Sequence, residues 1–104
     1  MPEKTFNGQT VEVDAEGYMV DNAQWNEGIA ADIAKELGIE LTDDHWKVIN
    51  FIIAENKESG NIPTLRSIGK KSGVDMKGLY KLFPDGPVKK AAMIAGLPKP
   101  KSCV

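Results

Sequence analysis

The sequence has very little of the residues from which covalent cross-links and metal sites are built. It contains one cysteine, Cys103, and one histidine, His45, among 104 residues. A single cysteine excludes a disulfide within the chain and any site that needs several thiolates, and one histidine adds too little for zinc. We therefore expect no metal and no cofactor. Cys103 is the one strong nucleophile that the chain offers.

Long apolar segments are also absent. No run approaches the roughly 20 residues that cross a bilayer, and the opening MPEKTF lacks the apolar stretch of a signal peptide. We expect a cytoplasmic protein with no membrane partner, in a compartment that keeps a free thiol reduced. A chain of 104 residues, 41% hydrophobic and 27% charged, fits one small domain and excludes a two-domain enzyme.

The net charge of −2 conceals a strong asymmetry along the chain. Residues 1–65 carry thirteen acidic side chains and four lysines, whereas residues 66–104 carry one arginine, eight lysines and two aspartates. The balances are therefore −9 and +7. This pattern predicts that the C-terminal part meets an anionic partner or stabilises an anion of its own. Two solvated faces are the alternative interpretation.

Turn and cap residues predict the order of the elements. Asn7-Gly8 between short β-forming segments predicts a hairpin within residues 4–20, with a third short strand at 18–20. Apolar residues at four-residue spacing predict a helix over 23–37. Thr42 as N-cap predicts a second helix to about Ser59, expected to be the most buried element, with His45 at its surface or boundary.

Residues 64–83 predict two short helices around a Ser-Gly-Val turn. The pair resembles the helix-turn-helix of TetR-type repressors, and its five cations against one carboxylate favour phosphate contacts. The same pattern also serves as a corner of a small helical core. A sequence pI near 5.4 argues against DNA binding, so direct contact with nucleic acid is not expected.

A proline-containing segment follows the last predicted helix, which ends near Ala95. The two prolines in Leu97-Pro98-Lys99-Pro100-Lys101-Ser102-Cys103-Val104 favour an extended path. We expect a globular domain over residues 1–96 and a flexible arm over 97–104 with the thiol near its tip. Such an arm suits a group carrier better than a self-contained enzyme, which needs a fixed base and oxyanion donors. An inert tail cysteine is the alternative.

The C-terminal residues carry a more specific resemblance. Leu82-Phe83-Pro84-Asp85-Gly86-Pro87-Val88-Lys89, with the ending Ala95-Gly96-Leu97-Pro98-Lys99-Pro100-Lys101-Ser102-Cys103-Val104, is similar to the DsrC/TusE family of sulfur carriers. The segment Val13-Asp14-Ala15-Glu16-Gly17-Tyr18, Trp25, the start of the second helix, Pro63 and Arg66 also match family positions. The resemblance implies a mainly α (α+β) fold, a small orthogonal helical bundle with an N-terminal β-hairpin and a C-terminal arm.

The resemblance also implies that Cys103 accepts a persulfide from an upstream sulfurtransferase of the DsrEFH/TusBCD type. The downstream acceptor would be a tRNA thiouridylase in the TusE branch, or dissimilatory sulfite reductase in the DsrC branch. DsrC is often called the gamma subunit of that reductase. The protein would be a sulfur carrier rather than a stand-alone enzyme. A DNA-binding or regulatory protein and a gamma-type partner without sulfur transfer are the alternatives.

One residue departs from the two-cysteine pattern of DsrC. Ala92 stands where those chains have a second cysteine, so this chain cannot close their intramolecular disulfide. A single cysteine fits a TusE-like relay, but a short Ser72-to-Asp75 turn departs from TusE-like chains, and the branch stays open. We expect Arg66, Lys99 and Lys101 to stabilise the sulfur anion. Four further lysines are expected to dock the partner: Lys70, Lys71, Lys77 and Lys89.

Overall fold

The N-terminal hairpin forms as the sequence predicts. In a computed structural model, which describes residues 2–100, strand β1 (Glu3–Phe6) pairs antiparallel with β2 (Gln9–Glu12). Asn7 and Gly8 have φ of 50° and 75°, the two left-handed residues that a type I′ turn requires. Phe6 and Val11 share the buried face of the hairpin.

The predicted third strand is reduced to one bridge, between Val13 and Met19. The carboxylate of Asp14 accepts the backbone N–H groups of Glu16 and Tyr18, at 2.9 and 3.0 Å. The pairing of residues 18–20 is limited to this bridge and the backbone hydrogen bonds on either side of it, because the chain turns tightly at Asp14.

The first α-helix starts later than predicted. Asp21 caps a short 3-10 turn at Asn22–Gln24, and Asn26 then caps helix α1, which runs over Glu27–Glu36. Because each cap ends one hydrogen-bonding pattern and begins another, the stretch predicted as a single helix over 23–37 is divided. Trp25 consequently lies in extended backbone between the two caps.

Four further helices complete the bundle, which confirms the predicted mainly helical fold. Helix α2 begins after Thr42 as predicted and runs over Asp43–Ser59. The remaining helices are α3 (Leu65–Lys71), α4 (Met76–Leu82) and α5 (Pro87–Ile94). Helices α3 and α4 form the predicted helix-turn-helix-like corner, capped by Thr64 and Asp75. Within residues 2–100, no helix is both long enough and apolar enough to cross a membrane.

The most buried helix is α5 and not α2, contrary to the prediction. Five of the eight residues of α5 are buried, against four of seventeen in α2. Helix α5 packs against α1, α2 and α4, so it is covered from several sides. Its small side chains, including Ala91 and Ala92, permit this close approach, which the apolar pattern of a single helix does not reveal.

The expectation that His45 lies at the surface or boundary is also wrong, because the residue is buried, with only 6% of its surface exposed. Its Nδ1 accepts the backbone N–H of Thr42 at 3.1 Å, so Nε2 carries the proton and donates to the carbonyl of Leu82 at 2.8 Å. The ring also meets Phe83 edge-on, with the ring centroids 5.0 Å apart. His45 thus joins the start of α2 to the end of α4.

We expect His45→Ala to lower the free energy of unfolding by about 2–4 kcal/mol, because it leaves two backbone groups without partners and opens a gap beside Phe83. Urea titration followed by circular dichroism measures this change. Asp44→Ala is the control, because Asp44 is the neighbouring residue and forms an exposed ion pair with Lys47. It should change the free energy of unfolding by less than about 1 kcal/mol. Equal effects of the two substitutions would contradict the structural role of His45.

Candidate functional site: the base of the C-terminal arm

Two of the predicted site residues, Cys103 and Lys101, lie outside the described residues. The structure describes the arm as far as Pro100. The described part of the candidate site is the base of the arm, where it leaves the bundle, with the side chains around it.

The direction of the arm is set where α5 ends. Gly96 has φ of 72°, the left-handed conformation that terminates helices, and its N–H donates to the carbonyl of Met93 at 3.1 Å. The next N–H, from Leu97, donates to the carbonyl of Ala92 at 3.0 Å. With Leu97 only 2% exposed, the first residue of the arm is part of the core.

Trp25 and Asn22 hold this helix end from outside. The indole Nε1 of Trp25 donates to the carbonyl of Ile94 at 2.8 Å, and Nδ2 of Asn22 donates to the carbonyl of Gly96 at 3.1 Å. The indole lies directly on Gly96, since a Cβ added there would be 2.4 Å from Cδ1 of Trp25. Three contacts from one short segment thus fix the exit of the arm.

The following residues lie along the loop that joins α2 to α3. Pro98, Lys99 and Pro100 line a cavity of about 360 Å³ together with Asn56 and the loop residues 60–64. Pro100 is buried, whereas Pro98 and Lys99 are exposed. The described part of the arm therefore packs on the bundle. The division of the chain into a globular domain over 1–96 and a flexible arm over 97–104 stays a prediction.

The ammonium group of Lys99 forms an ion pair with the carboxylate of Glu16. Its Nζ lies 2.9 Å from both oxygens of Glu16, and this hydrogen bond raises the pKa of Lys99 above its ordinary value. Burial, and then the charge of Glu16, raise the pKa of nearby Tyr18. The pair joins the Asp14–Tyr18 turn to the arm. Lys99 would have to leave Glu16 before it could stabilise a sulfur anion, so its predicted role stays a prediction.

The other predicted cations lie on three helices. Arg66 is exposed in the first turn of α3, two residues after Thr64, which lines the arm cavity. Lys70 and Lys71 end α3, Lys77 lies on α4, and all three are exposed. Among residues 2–100, none of these four side chains has a carboxylate within 4.0 Å. Lys89 differs from them, since it is half-buried on α5.

Comparison with known proteins identifies the family. The chain matches the family described as DsrC like protein over residues 5–104. The chain belongs to this DsrC-like family. The predicted resemblance is thereby confirmed over nearly the whole sequence.

Both curated relatives and solved structures agree with this assignment. Sulfurtransferase TusE of Photorhabdus laumondii is 46% identical, over 95% of this chain and 96% of its own length. The oxidized gamma-subunit of dissimilatory sulfite reductase (DsrC) from Archaeoglobus fulgidus has 36% identity and a TM-score of 0.85, covering 99% of this chain and 100% of that one. Allochromatium vinosum DsrC has 38% identity and a TM-score of 0.85, covering 98% and 97%.

The DsrC-like fold places Ala92 in the core. Its side chain is fully buried in α5, and its carbonyl accepts the N–H of Leu97 at the start of the arm. The position where the sequence resemblance locates a second cysteine in DsrC is therefore next to the arm's origin in space. Here it carries a methyl group, which has no sulfur chemistry.

The structure reveals three arm-holding residues that had no assigned function from sequence: Glu16, Asn22 and Trp25. From the sequence, Trp25 and Glu16 are only positions that match the family. The available signal was the pair of cap residues Asp21 and Asn26, which isolates Trp25 from α1. Among residues 2–100, no group of three or more His, Cys, Asp or Glu side chains is arranged to bind a metal ion.

Proposed function

We propose that the protein is a sulfur carrier that takes up and gives away one persulfide sulfur at Cys103 in a cytoplasmic sulfur relay. The observation that carries the proposal is the family match through residue 104, with relatives named sulfurtransferase TusE covering 95% of the chain. The sequence contains one cysteine, so Cys103 is the residue that would carry the persulfide.

The chemistry of the carrier is a balanced exchange. The Cys103 thiolate attacks the outer sulfur of a donor persulfide, R–S–SH. The new S–S bond forms as the donor's S–S bond breaks, and the donor leaves as its thiolate. An acceptor thiolate then attacks the outer sulfur on Cys103 and releases the original cysteine. Neither step needs an external oxidant or reductant.

The single cysteine favours a relay over a two-thiol cycle. A second thiol would be needed to expel the sulfur by forming an internal disulfide, and Ala92 provides none. We propose an upstream sulfurtransferase of the DsrEFH/TusBCD type as donor. A tRNA thiouridylase is the acceptor we favour, and dissimilatory sulfite reductase is the second candidate because of the structural likeness to its gamma subunit.

Intact-mass measurement tests this function. The reduced chain is incubated with a persulfide-loaded protein or with glutathione persulfide, and excess donor is removed. We expect a gain of one sulfur atom that dithiothreitol reverses. Absence of any gain with either donor would overturn the carrier function.

We also propose that Arg66 stabilises the sulfur anion. Three residues of chain span at most about 11 Å, and Pro100, three residues before Cys103, shares a cavity with Thr64 at the start of α3. Arg66 follows Thr64 by two residues, and a guanidinium that reaches the thiol favours the thiolate over the thiol. Lys101 and, after release from Glu16, Lys99 are candidates for the same role.

We expect Arg66→Ala to slow alkylation of Cys103 at neutral pH by about three- to tenfold and to move its pH midpoint upward, because one nearby cation is lost. Iodoacetamide kinetics across a pH series measure both quantities. Arg66→Lys should preserve most of the rate, and Lys35→Ala, an exposed position on α1 that does not line the arm cavity, should change neither quantity. An unchanged midpoint in Arg66→Ala would remove Arg66 from the site.

A further inference from the structure

Helix α4 presents two large apolar side chains to solvent. Met76 is 45% exposed and Tyr80 is 47% exposed, and Val20 is the one other large apolar side chain so exposed among residues 2–100. Met76 and Tyr80 are four residues apart and therefore lie one above the other on the same face of the helix. These two side chains do not serve the core, because α4 packs against it through the buried side chain of Leu79.

This face extends onto α3. A Cβ added to Gly69 would lie 2.8 Å from Cγ of Met76, so the methionine stem rests directly on the α3 backbone. The corner beneath it is fixed, because Asp75 accepts the N–H of Gly78 at 2.8 Å and caps α4. We call the surface formed by Met76 and Tyr80, with the surrounding lysines, the α4 face. Its lysines are Lys70, Lys71, Lys77 and Lys81.

The rim of the α4 face is positive. All four of its lysines are exposed, and in the part of the chain that the structure describes none has a carboxylate within 4.0 Å. Asp75 is the one acidic residue between positions 64 and 83, and its side chain is engaged in the helix cap. The cations are therefore available to a partner rather than neutralised within the fold.

An apolar centre inside a charged rim is the anatomy of a protein–protein contact. Tyrosine is enriched among the residues that dominate binding energy, and methionine is enriched in interface cores, whereas exposed lysines steer association with acidic surfaces. Binding to nucleic acid would use the cations for phosphates and would gain less from a methionine at the centre. The charge pattern thus calls for an acidic protein surface around an apolar pocket.

We propose that the α4 face docks the protein that donates sulfur to Cys103, so that binding and chemistry use different parts of the chain. This inference rests on the proposed carrier function. Docking keeps the donor persulfide on this chain and so raises its effective concentration for the thiol that the arm supplies. A small persulfide needs no docking and reaches the thiol directly.

The test compares the two kinds of donor on the full chain. Met76→Ser/Tyr80→Ser is expected to lower the second-order rate of sulfur uptake from a persulfide-loaded DsrEFH/TusBCD-type sulfurtransferase by about 30-fold, the effect of losing a binding hot spot. Uptake from glutathione persulfide should stay within about twofold, since it bypasses docking. Val20→Ser, which removes the third exposed apolar side chain, should leave both rates unchanged.

A second double variant tests the lysines of the rim while leaving the apolar side chains of the α4 face intact. Lys77→Gln/Lys81→Gln should slow uptake from the protein donor, and the rate should then depend less steeply on salt concentration than in the wild type. A protein-donor rate that both double variants leave unchanged, with normal loading by glutathione persulfide, would overturn the docking role and leave the carrier function standing. Failure of the wild type to load from either donor would overturn the carrier function itself.

A mobility-shift measurement separates the nucleic-acid interpretation. Mixed tRNA and a duplex DNA serve as probes for the wild type and the Met76→Ser/Tyr80→Ser variant. We expect no shift with either nucleic acid below micromolar concentrations. A tight shift that the variant loses, while transfer from the protein donor is unaffected, would reassign the α4 face to nucleic acid.

Discussion

Cys103→Ser is expected to abolish sulfur uptake completely, because a serine hydroxyl is not ionised near neutral pH and cannot attack a persulfide sulfur. The variant should fold as the wild type does, since a hydroxyl replaces a thiol of similar size. Intact mass after incubation with glutathione persulfide measures the loss, and a melting curve checks the fold. Residual gain of one sulfur in Cys103→Ser would contradict the assignment, because no other cysteine is present.

The position of the thiol can be tested separately from its presence. Ser102→Cys/Cys103→Ser moves the thiol by one residue and keeps the cysteine count at one. We expect this chain to load from glutathione persulfide, since the chemistry is unchanged, but to exchange sulfur poorly with a protein donor. Equal protein-borne transfer in both arrangements would show that the arm delivers its thiol without positional precision.

Gly96→Ala is expected to be the most destabilising single methyl addition at the base of the arm. A left-handed φ of 72° costs an alanine about 1–2 kcal/mol. The new Cβ would also lie 2.4 Å from Cδ1 and 2.8 Å from Cβ of Trp25, so the whole indole must move and give up its hydrogen bond to Ile94. We expect a total loss of about 3–5 kcal/mol in the free energy of unfolding.

Gly38→Ala is the matched control for this substitution. Gly38 has a similar φ of 75°, but a Cβ there would meet nothing within 4 Å. Its cost in urea titration is therefore the backbone cost alone, and the difference between the two variants is the cost of displacing Trp25. If both variants lose the same stability, Trp25 does not hold the end of α5.

A double-mutant cycle measures the coupling between Trp25 and position 96. Trp25→Ala removes the ring that Gly96→Ala would strike but keeps the Cβ of residue 25, 2.8 Å from the new methyl group. The alanine at position 96 should therefore cost less than it does in the wild type, and still more than the one at position 38. Trp25→Ala alone should also expose the base of the arm to proteolysis. Both the stability difference and the proteolysis rate depend on the contact of Trp25 with Gly96, which fixes where the arm leaves the bundle.

Local signals in the sequence account for the elements that were predicted correctly. The Asn7-Gly8 turn and the Thr42 cap act within a few residues, and each has the predicted place in the structure. The C-terminal segment identified the family because its residues are numerous and specific. The division at Asn26 was missed because two cap residues compete within a few positions and periodicity alone favours one helix.

Features that depend on distant partners could not be predicted. His45 is polar by type, and its burial depends on the carbonyl of Leu82, 37 residues away. The pairing of Lys99 with Glu16 joins positions separated by 83 residues. The burial of α5 depends on how many helices surround it, and the close packing of Trp25 on Gly96 is a property of the assembled bundle.

The relay function is tested most directly by asking whether sulfur passes through Cys103 or merely accumulates there. The chain is loaded with isotopically labelled persulfide, freed of donor, and chased with an acceptor sulfurtransferase while the mass of the peptide containing Cys103 is followed. A carrier predicts that the label leaves this peptide, appears on the acceptor, and restores the unmodified cysteine. Label that stays on Cys103 through the chase, or leaves only as free sulfide, would contradict the relay.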